Sequence, residues 1–354
     1  MDLAKKVELG IKLIQSASKI AADNGTPALE VAYSGGKDSD CLLRLTQMAG
    51  APYRAIYKNT TIDPPGTIQH ALQNGCEIRR PEWTFAHLMQ LKGMPSRLAR
   101  YCCRYLKEYK ILDYVLIGIR RSESAKRAKM YQEPERCRVY SSKEKARIYF
   151  PLLEWTNEDV EEFIQAENIQ CHSLYYDDKG IFHVERRLGC MCCPLASQKK
   201  RLEQFQQYPG MAAFWLRNIQ IHKDLRPSDK QVDDVYVNLA RNILFNTAAE
   251  FQAACTGSNA ITDWKAELER RLGFELPLIE PNTLKPAQQV IDYMESVKKR
   301  KEERRIRREE KELLKAQRKA EREAKHAAKE QMEAQKKAER ERKRQEKLNK
   351  QQKV

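Results

Sequence analysis

The chain is 354 residues long, room for one large domain or a domain with an appendage, and its Lys and Arg outnumber Asp and Glu 65 to 49. It contains no run of about 18 apolar residues, which argues against a membrane span. Ten cysteines behind an amphipathic, lysine-interrupted N-terminus rather than a secretory leader point to a reducing compartment such as the cytoplasm, where thiols act as ligands or nucleophiles.

The net charge of +16 is unevenly spread: Lys298 to Val354 holds 24 Lys and Arg against 12 Asp and Glu, so this segment carries +12 and the body only +4. Along the body, Leu3, Val7, Leu9, Ile11 and Ile14 predict an amphipathic opening helix. Asn24-Gly25-Thr26-Pro27 turns the chain into an apolar run, Ala28 to Tyr33, that reads as a buried parallel strand. Leu42, Leu43, Leu45 and Met48 then predict a helix. Between strand and helix lies Ser34-Gly35-Gly36-Lys37-Asp38-Ser39. Glycines let a backbone approach a ligand, and successive amides at a helix start make a concavity for anions. Lys37 adds a point charge and Ser34 and Ser39 add hydroxyl donors, so phosphate is the favoured ligand over a plain Gly-Gly turn. The string is neither the Walker loop nor the dinucleotide-binding fingerprint.

Strands are expected at Tyr53 to Tyr57, Glu77 to Arg79, Tyr114 to Ile119 and Arg147 to Leu152, with helices at Thr67 to Gln73 and around Phe85 to Leu91. The alternation implies a parallel sheet covered on both faces, with ligands beyond the carboxyl ends of the strands. Thr156 reads as the N-cap of a helix from Asn157 to Ala166, with Asp159 in its first turn. Residues 200 to 250 are mostly helical by pattern. Beyond Pro286 one long helix follows, in which Ile306, Leu313, Ala320, Ala327 and Ala334 fall seven apart, a thin heptad seam. Three regions result: 1–197 with the loop and paired cysteines, a helical extension 198–285, and a basic helix 286–354.

Two cysteine groups stand out, Cys102-Cys103 and Cys190-Met191-Cys192-Cys193-Pro194. Four thiolates in two pairs suit a [4Fe–4S] cluster or a tetrahedral zinc, and otherwise would be buried free thiols. Arg120, Arg121 and Arg127 follow a strand end, where guanidinium forks suit an oxyanion; the plainer reading is a solvated helix face. Asp38 reads as a capping residue or an indirect Mg²⁺ contact. Asp63 is a weaker acidic candidate, and His172 and His183 read as loop or core histidines.

The Ser34–Ser39 string resembles the PP-loop of the ATP pyrophosphatase superfamily, whose members cleave ATP between the α and β phosphates. Arg100 to Lys107, Gly118 to Ser124 with Arg127, Phe150 to Val160, and Arg187 to Pro194 resemble, in order, four segments of the phosphoadenosine phosphosulfate (PAPS) reductase family. The resemblance covers residues 28 to 197. It implies an α/β fold with a parallel sheet, adenine nucleotide on Ser34, Gly35, Gly36, Lys37, Asp38 and Ser39, and a [4Fe–4S] cluster on Cys102, Cys103, Cys190 and Cys193, with zinc as the alternative. Lys37, Arg120 and Arg127 would act on the phosphates. Cys192 could be a spare ligand, a sulfur-handling nucleophile or neither.

Two departures from the sulfonucleotide reductases bear on the reaction. Those enzymes typically lack the loop lysine and use a nucleophilic cysteine in a C-terminal E-C-G-[IL]-H segment; here Lys37 is present, and Cys255 sits in Ala254-Cys255-Thr256-Gly257. The combination is similar to ATP-dependent sulfurtransferases of the superfamily. The resemblance implies adenylation of a nucleic-acid acceptor with Mg²⁺-ATP and release of pyrophosphate, after which sulfur from a donor protein, carried on the cluster or a cysteine, displaces AMP. A reductase acting on adenylyl sulfate or PAPS, and a non-enzymatic nucleotide- or nucleic-acid-binding module, are the competing readings. The basic tail would track a phosphate backbone, stand as a solvated single helix, or seek a coiled-coil or oligomeric partner.

Overall fold

The computed structural model describes residues 1–140, 145–226 and 234–351. Six strands form one sheet: β1 (Leu29–Tyr33), β2 (Tyr53–Lys58), β3 (Glu77–Arg79), β4 (Tyr114–Leu116), β5 (Glu135–Val139) and β6 (Lys145–Tyr149), in the order β3-β2-β1-β4-β6-β5. Central β1 pairs parallel with both neighbours, Val31 standing opposite Ala55 and Leu116. The sheet departs from the expected all-parallel arrangement at one edge, where β5 runs antiparallel to β6. Antiparallel neighbours need no crossover helix between them.

Alternation along β1 decides what each face does. Leu29, Val31 and Tyr33 enter a core with Ile14 and Ala17 of α1 (Leu3–Asp23), Leu42 and Leu45 of α2 (Lys37–Ala49), and Val160 and Phe163 of α7 (Asn157–Ala166). Glu30 and Ala32, pointing the other way, line a cavity together with Ile56, Lys58, Val115 and Ile117. Between β1 and β4 the strand order reverses direction, the switch point where open α/β sheets bind ligands.

The connections on the chain's way to β4 are helical: α3 (Thr67–Gln73), α4 (Phe85–Lys92) and α5 (Tyr101–Leu106). After β4 come a 3₁₀ turn at Arg121–Glu123 and α6 (Ala125–Met130). The region from 198 to 285 is helical as expected: α8 (Gln198–Gln207), α9 (Gly210–Leu225), α10 (Val235–Leu244), α11 (Ala248–Ala254) and α12 (Trp264–Leu272). Residues 227–233, within the stretch read as helical, lie outside the described residues.

These helices bury Phe205, Trp215, Leu239 and Leu268 in a second core that also takes in Phe85 and Leu88 of α4 and Leu106 of α5. The helical extension and the sheet region accordingly form one compact unit, Met1–Pro286, and the remainder, Ala287–Val354, forms another. The second unit is α13 (Gln288–Gln351), a helix of 64 residues. No helix among the described residues is long and apolar enough to cross a membrane.

Candidate active site

The loop after β1 is built as its composition demands. Gly35 has φ +76°, and a Cβ there would lie 2.8 Å from Thr67 Cγ2, so a side chain is excluded both by backbone and by space. Gly36 caps α2, and Ser39 Oγ donates to its carbonyl at 2.6 Å while standing 3.2 Å from Ser34 Oγ. Lys37 is 3% exposed: its ammonium lies 3.2 Å from Asp38 Oδ2 and 5.6 Å from the centre of the Tyr175 ring. Gly118, in the loop after β4, comes so close that a Cβ would sit 2.8 Å from the Asp38 carbonyl oxygen. Loops from both sides of the switch point are thus pressed together.

The three arginines of the 120–127 segment separate into three roles. Arg120 is 1% exposed and fully engaged: Nε donates to Asp38 Oδ1 at 2.7 Å, Nη2 to Asn157 Oδ1 at 2.9 Å, and Nη1 to Ser122 Oγ at 3.1 Å. It therefore departs from the expectation that it faces an oxyanion; it braces the first turn of α2. Arg121 also departs, since it pairs with Glu154 and donates to the carbonyls of Tyr131 and Gln132. Arg127 lines the cavity beside Glu123, with which it pairs. Asp38, held between Arg120 and Lys37, is neither a free cap nor an open carboxylate.

The cavity has a volume of about 460 Å³, with Ser34, Gly36, Lys37, Asp38 and Ser39 at one side. Arg187 reaches the same cavity and donates to the Glu123 carbonyl at 2.7 Å. Thr60, Asp63 and Lys107 form another part of its wall. Asp63 accepts from Tyr57 Oη at 2.5 Å and from the Thr60 amide at 3.0 Å, which fixes the carboxylate. Desolvation opposes charge on Lys107, but Cys190 and Asp63 more than offset it and hold its pKa above the usual value. Sequence reasoning named neither Lys107 nor Arg187 as a site residue, although both fall inside the segments that carry the family resemblance.

The cysteines adjoin this wall. Cys190 Sγ stands 3.6 Å from Thr60 Oγ1 and also bonds to Lys107. Cys102 and Cys103, on α5, share a hydrogen bond, and Cys102 feels the charges of Cys190 and Cys193 as well, so the four thiols are neighbours. The bond from Cys102, assisted by the Arg100 guanidinium, brings the Cys103 thiol down to about 5. Burial pushes Cys190 up, with Lys107 opposing. Among the described residues, no group of three or more His, Cys, Asp or Glu is arranged to hold a metal ion. Cys192 points elsewhere: it is 1% exposed in the helical core, and burial raises its thiol to about 12. His172 is buried at 2% exposure, and His183 pairs with Asp177 and Glu185.

The residues that build this site lie within a segment that matches a known family. Residues 28–196 match the phosphoadenosine phosphosulfate reductase domain. They are a PAPS reductase family domain. Two relatives share sequence with it: the uncharacterized protein MJ0973 of Methanocaldococcus jannaschii, 27% identical over 54% of this chain and 48% of that protein, and the uncharacterized 37.8 kDa protein in the gpa 5′ region of Escherichia phage 186, 28% identical over 38% of this chain and 42% of that protein. The chain spans less than half the length of each. Among solved structures, the PAPS reductase of Candida auris in its phosphate complex aligns with a TM-score of 0.35 at 15% identity, covering 54% of this chain and 96% of that one. The U34-tRNA thiolase NcsA of Methanococcus maripaludis, with its [4Fe–4S] cluster, aligns with a TM-score of 0.30 at 13% identity over 72% and 91%. The PAPS reductase family domain thus holds both the loop and the four paired cysteines.

Proposed function

We propose that the chain binds ATP on Ser34, Gly35, Gly36, Lys37, Asp38 and Ser39 and uses it to activate a nucleic-acid oxygen for replacement by sulfur. One observation carries this reading: the loop cavity and the thiol group share a wall, since Thr60 and Lys107 line the cavity and both touch Cys190. A phosphate-binding loop next to four thiols suits a reaction in which phosphoryl activation and sulfur delivery occur side by side.

In the first step the acceptor oxygen attacks the α phosphorus; a P–O bond to the acceptor forms, the bond to the β phosphate breaks, and pyrophosphate leaves. Lys37, the loop amides and Arg127 stabilise the charge that develops on the phosphate oxygens. Mg²⁺ accompanying ATP would be carried by the phosphates, because Asp38 is already committed to Arg120 and Lys37. In the second step hydrosulfide, supplied by a donor protein, attacks the activated carbon; a C–S bond forms and AMP departs with the oxygen. No net oxidation or reduction is involved.

Cys102, Cys103, Cys190 and Cys193 fit a [4Fe–4S] cluster by donor type and pairing. A tetrahedral zinc, the alternative, would draw the same thiolates to about 2.3 Å from one ion. When bound, the cluster would supply a redox-active, sulfide-bridged centre beside the cavity wall. The reductase reading has less support: Cys255, the C-cap of α11, packs with the helical core and not at the cavity.

Lys37→Ala should abolish pyrophosphate release from ATP without unfolding the chain, checked by a cooperative urea transition. Release at the wild-type rate would remove the loop from the reaction. Anaerobic purification with iron and sulfide analysis checks the cluster: about four of each per chain is the expected result, and zinc alone would overturn it.

A further inference from the structure

The two residues that follow Cys102 and Cys103 on α5, Arg104 and Tyr105, line a second open cleft of about 630 Å³. Four cations border it: Arg80, Arg104, Lys110 and Arg138. Four aromatic rings line it as well: Trp83, Tyr105, Tyr109 and Tyr140. The acids there are Glu82 and Glu108, and Glu108 is paired with Arg138 at 2.8 Å. Arg80 and Arg104 are exposed and, among the described residues, hold no carboxylate.

The rings are held in place. Tyr109 Oη donates to the Arg79 carbonyl at 3.1 Å, Lys92 lies 5.1 Å from the centre of the Tyr105 ring, and the Arg138 guanidinium covers Tyr140 at 4.5 Å. Rings fixed in this way present faces for stacking without losing rotamer freedom on binding. The cleft also runs into the nucleotide cavity, because Glu108, Arg138 and Tyr140 line both.

We propose that this cleft binds an unpaired strand of nucleic acid and leads one nucleotide of it toward the loop cavity. Cations that track a backbone, together with rings that accept bases, are the combination single strands require. An acidic peptide would use the cations and leave the rings idle, and a duplex hides the faces that the rings would stack on. For its chemistry the proposal rests on the sulfur-transfer reading above; for its geometry it does not.

The test uses the full chain and a short single-stranded RNA carrying 4-thiouridine, read by fluorescence anisotropy and by photo-cross-linking. The double variant R80E/R104E should weaken binding at low salt by at least about ten-fold. Tyr105→Ala should weaken it by about ten-fold, with Tyr105→Phe like the wild type. Cross-links should fall on the peptides containing Trp83 or Tyr105. Unchanged binding by R80E/R104E, equal affinity for the matching duplex, equal competition by polyglutamate, or cross-links confined to residues 298–351 would each overturn the proposal.

A chain that cross-links in the cleft yet never releases pyrophosphate would overturn the sulfur-transfer reading and leave this one standing. Pyrophosphate release without cleft cross-links would do the reverse.

Discussion

Arg120 and Arg127 lie seven positions apart, yet their surroundings assign them different work. Arg120 is buried with acceptors on Asp38, Ser122, Trp155 and Asn157. Arg127 has a side chain 39% exposed at the cavity. Arg120→Met should therefore cost about 3 kcal/mol in urea unfolding, because it leaves Asp38 without its main counter-charge. Arg127→Ala should stay within about 0.5 kcal/mol of the wild type in the same assay and instead slow pyrophosphate release. The loop itself was legible because phosphate binding needs its residues contiguous. Arg120 was not, since its partner Asn157 is far along the chain and only the fold brings them together.

At the scale of the element, α7 shows a signal that sequence carries whole. Thr156 accepts from the Asp159 amide and Asp159 reaches back to the Thr156 amide, a reciprocal capping box. Lys6 of α1 then pairs with Asp159 at 2.5 Å, tying the two helices. Burial disfavours the Asp159 carboxylate, but Lys6 and the Thr156 groups together outweigh it and hold its pKa below 3.8. A depressed carboxyl contributes stability that is complete above the unfolded value and fades as pH falls through the lower folded one. Asp159→Asn should thus cost about 1 kcal/mol at neutral pH, and the gap in unfolding free energy to the wild type should close below pH 4. Two elements escaped the sequence reading for opposite reasons. β5 is exposed at every position and has no alternation to detect. α5 is only six residues long, too short for a helical period to register.

For the whole molecule, charge and burial divide at the same place. From Lys298 onward every described side chain is exposed, including Leu313 at 63%. The heptad spacing read in the sequence is present in α13, but among its described side chains Ile306, Leu313, Ala320 and Ala334 are exposed; the helix carries exposed pairs such as Arg305 with Glu302 and Glu309. Such pairs contribute only a few tenths of a kcal/mol each. A chain ending at Val297 should keep its thermal midpoint, checked by calorimetry, because both cores remain. It should also lose most of the salt-dependent attraction to polyanions, since +12 of the +16 goes with the tail.

The sheet's two borders also have a consequence for how copies of the chain meet. β3 offers only three residues, and β5 offers Glu135, Arg136 and Arg138 among its five. A short border and a charged one both resist the backbone-to-backbone zipping by which sheets recruit further strands. Crowded copies of this protein should therefore stay separate along their sheets, and any assembly they form has to be made through side chains.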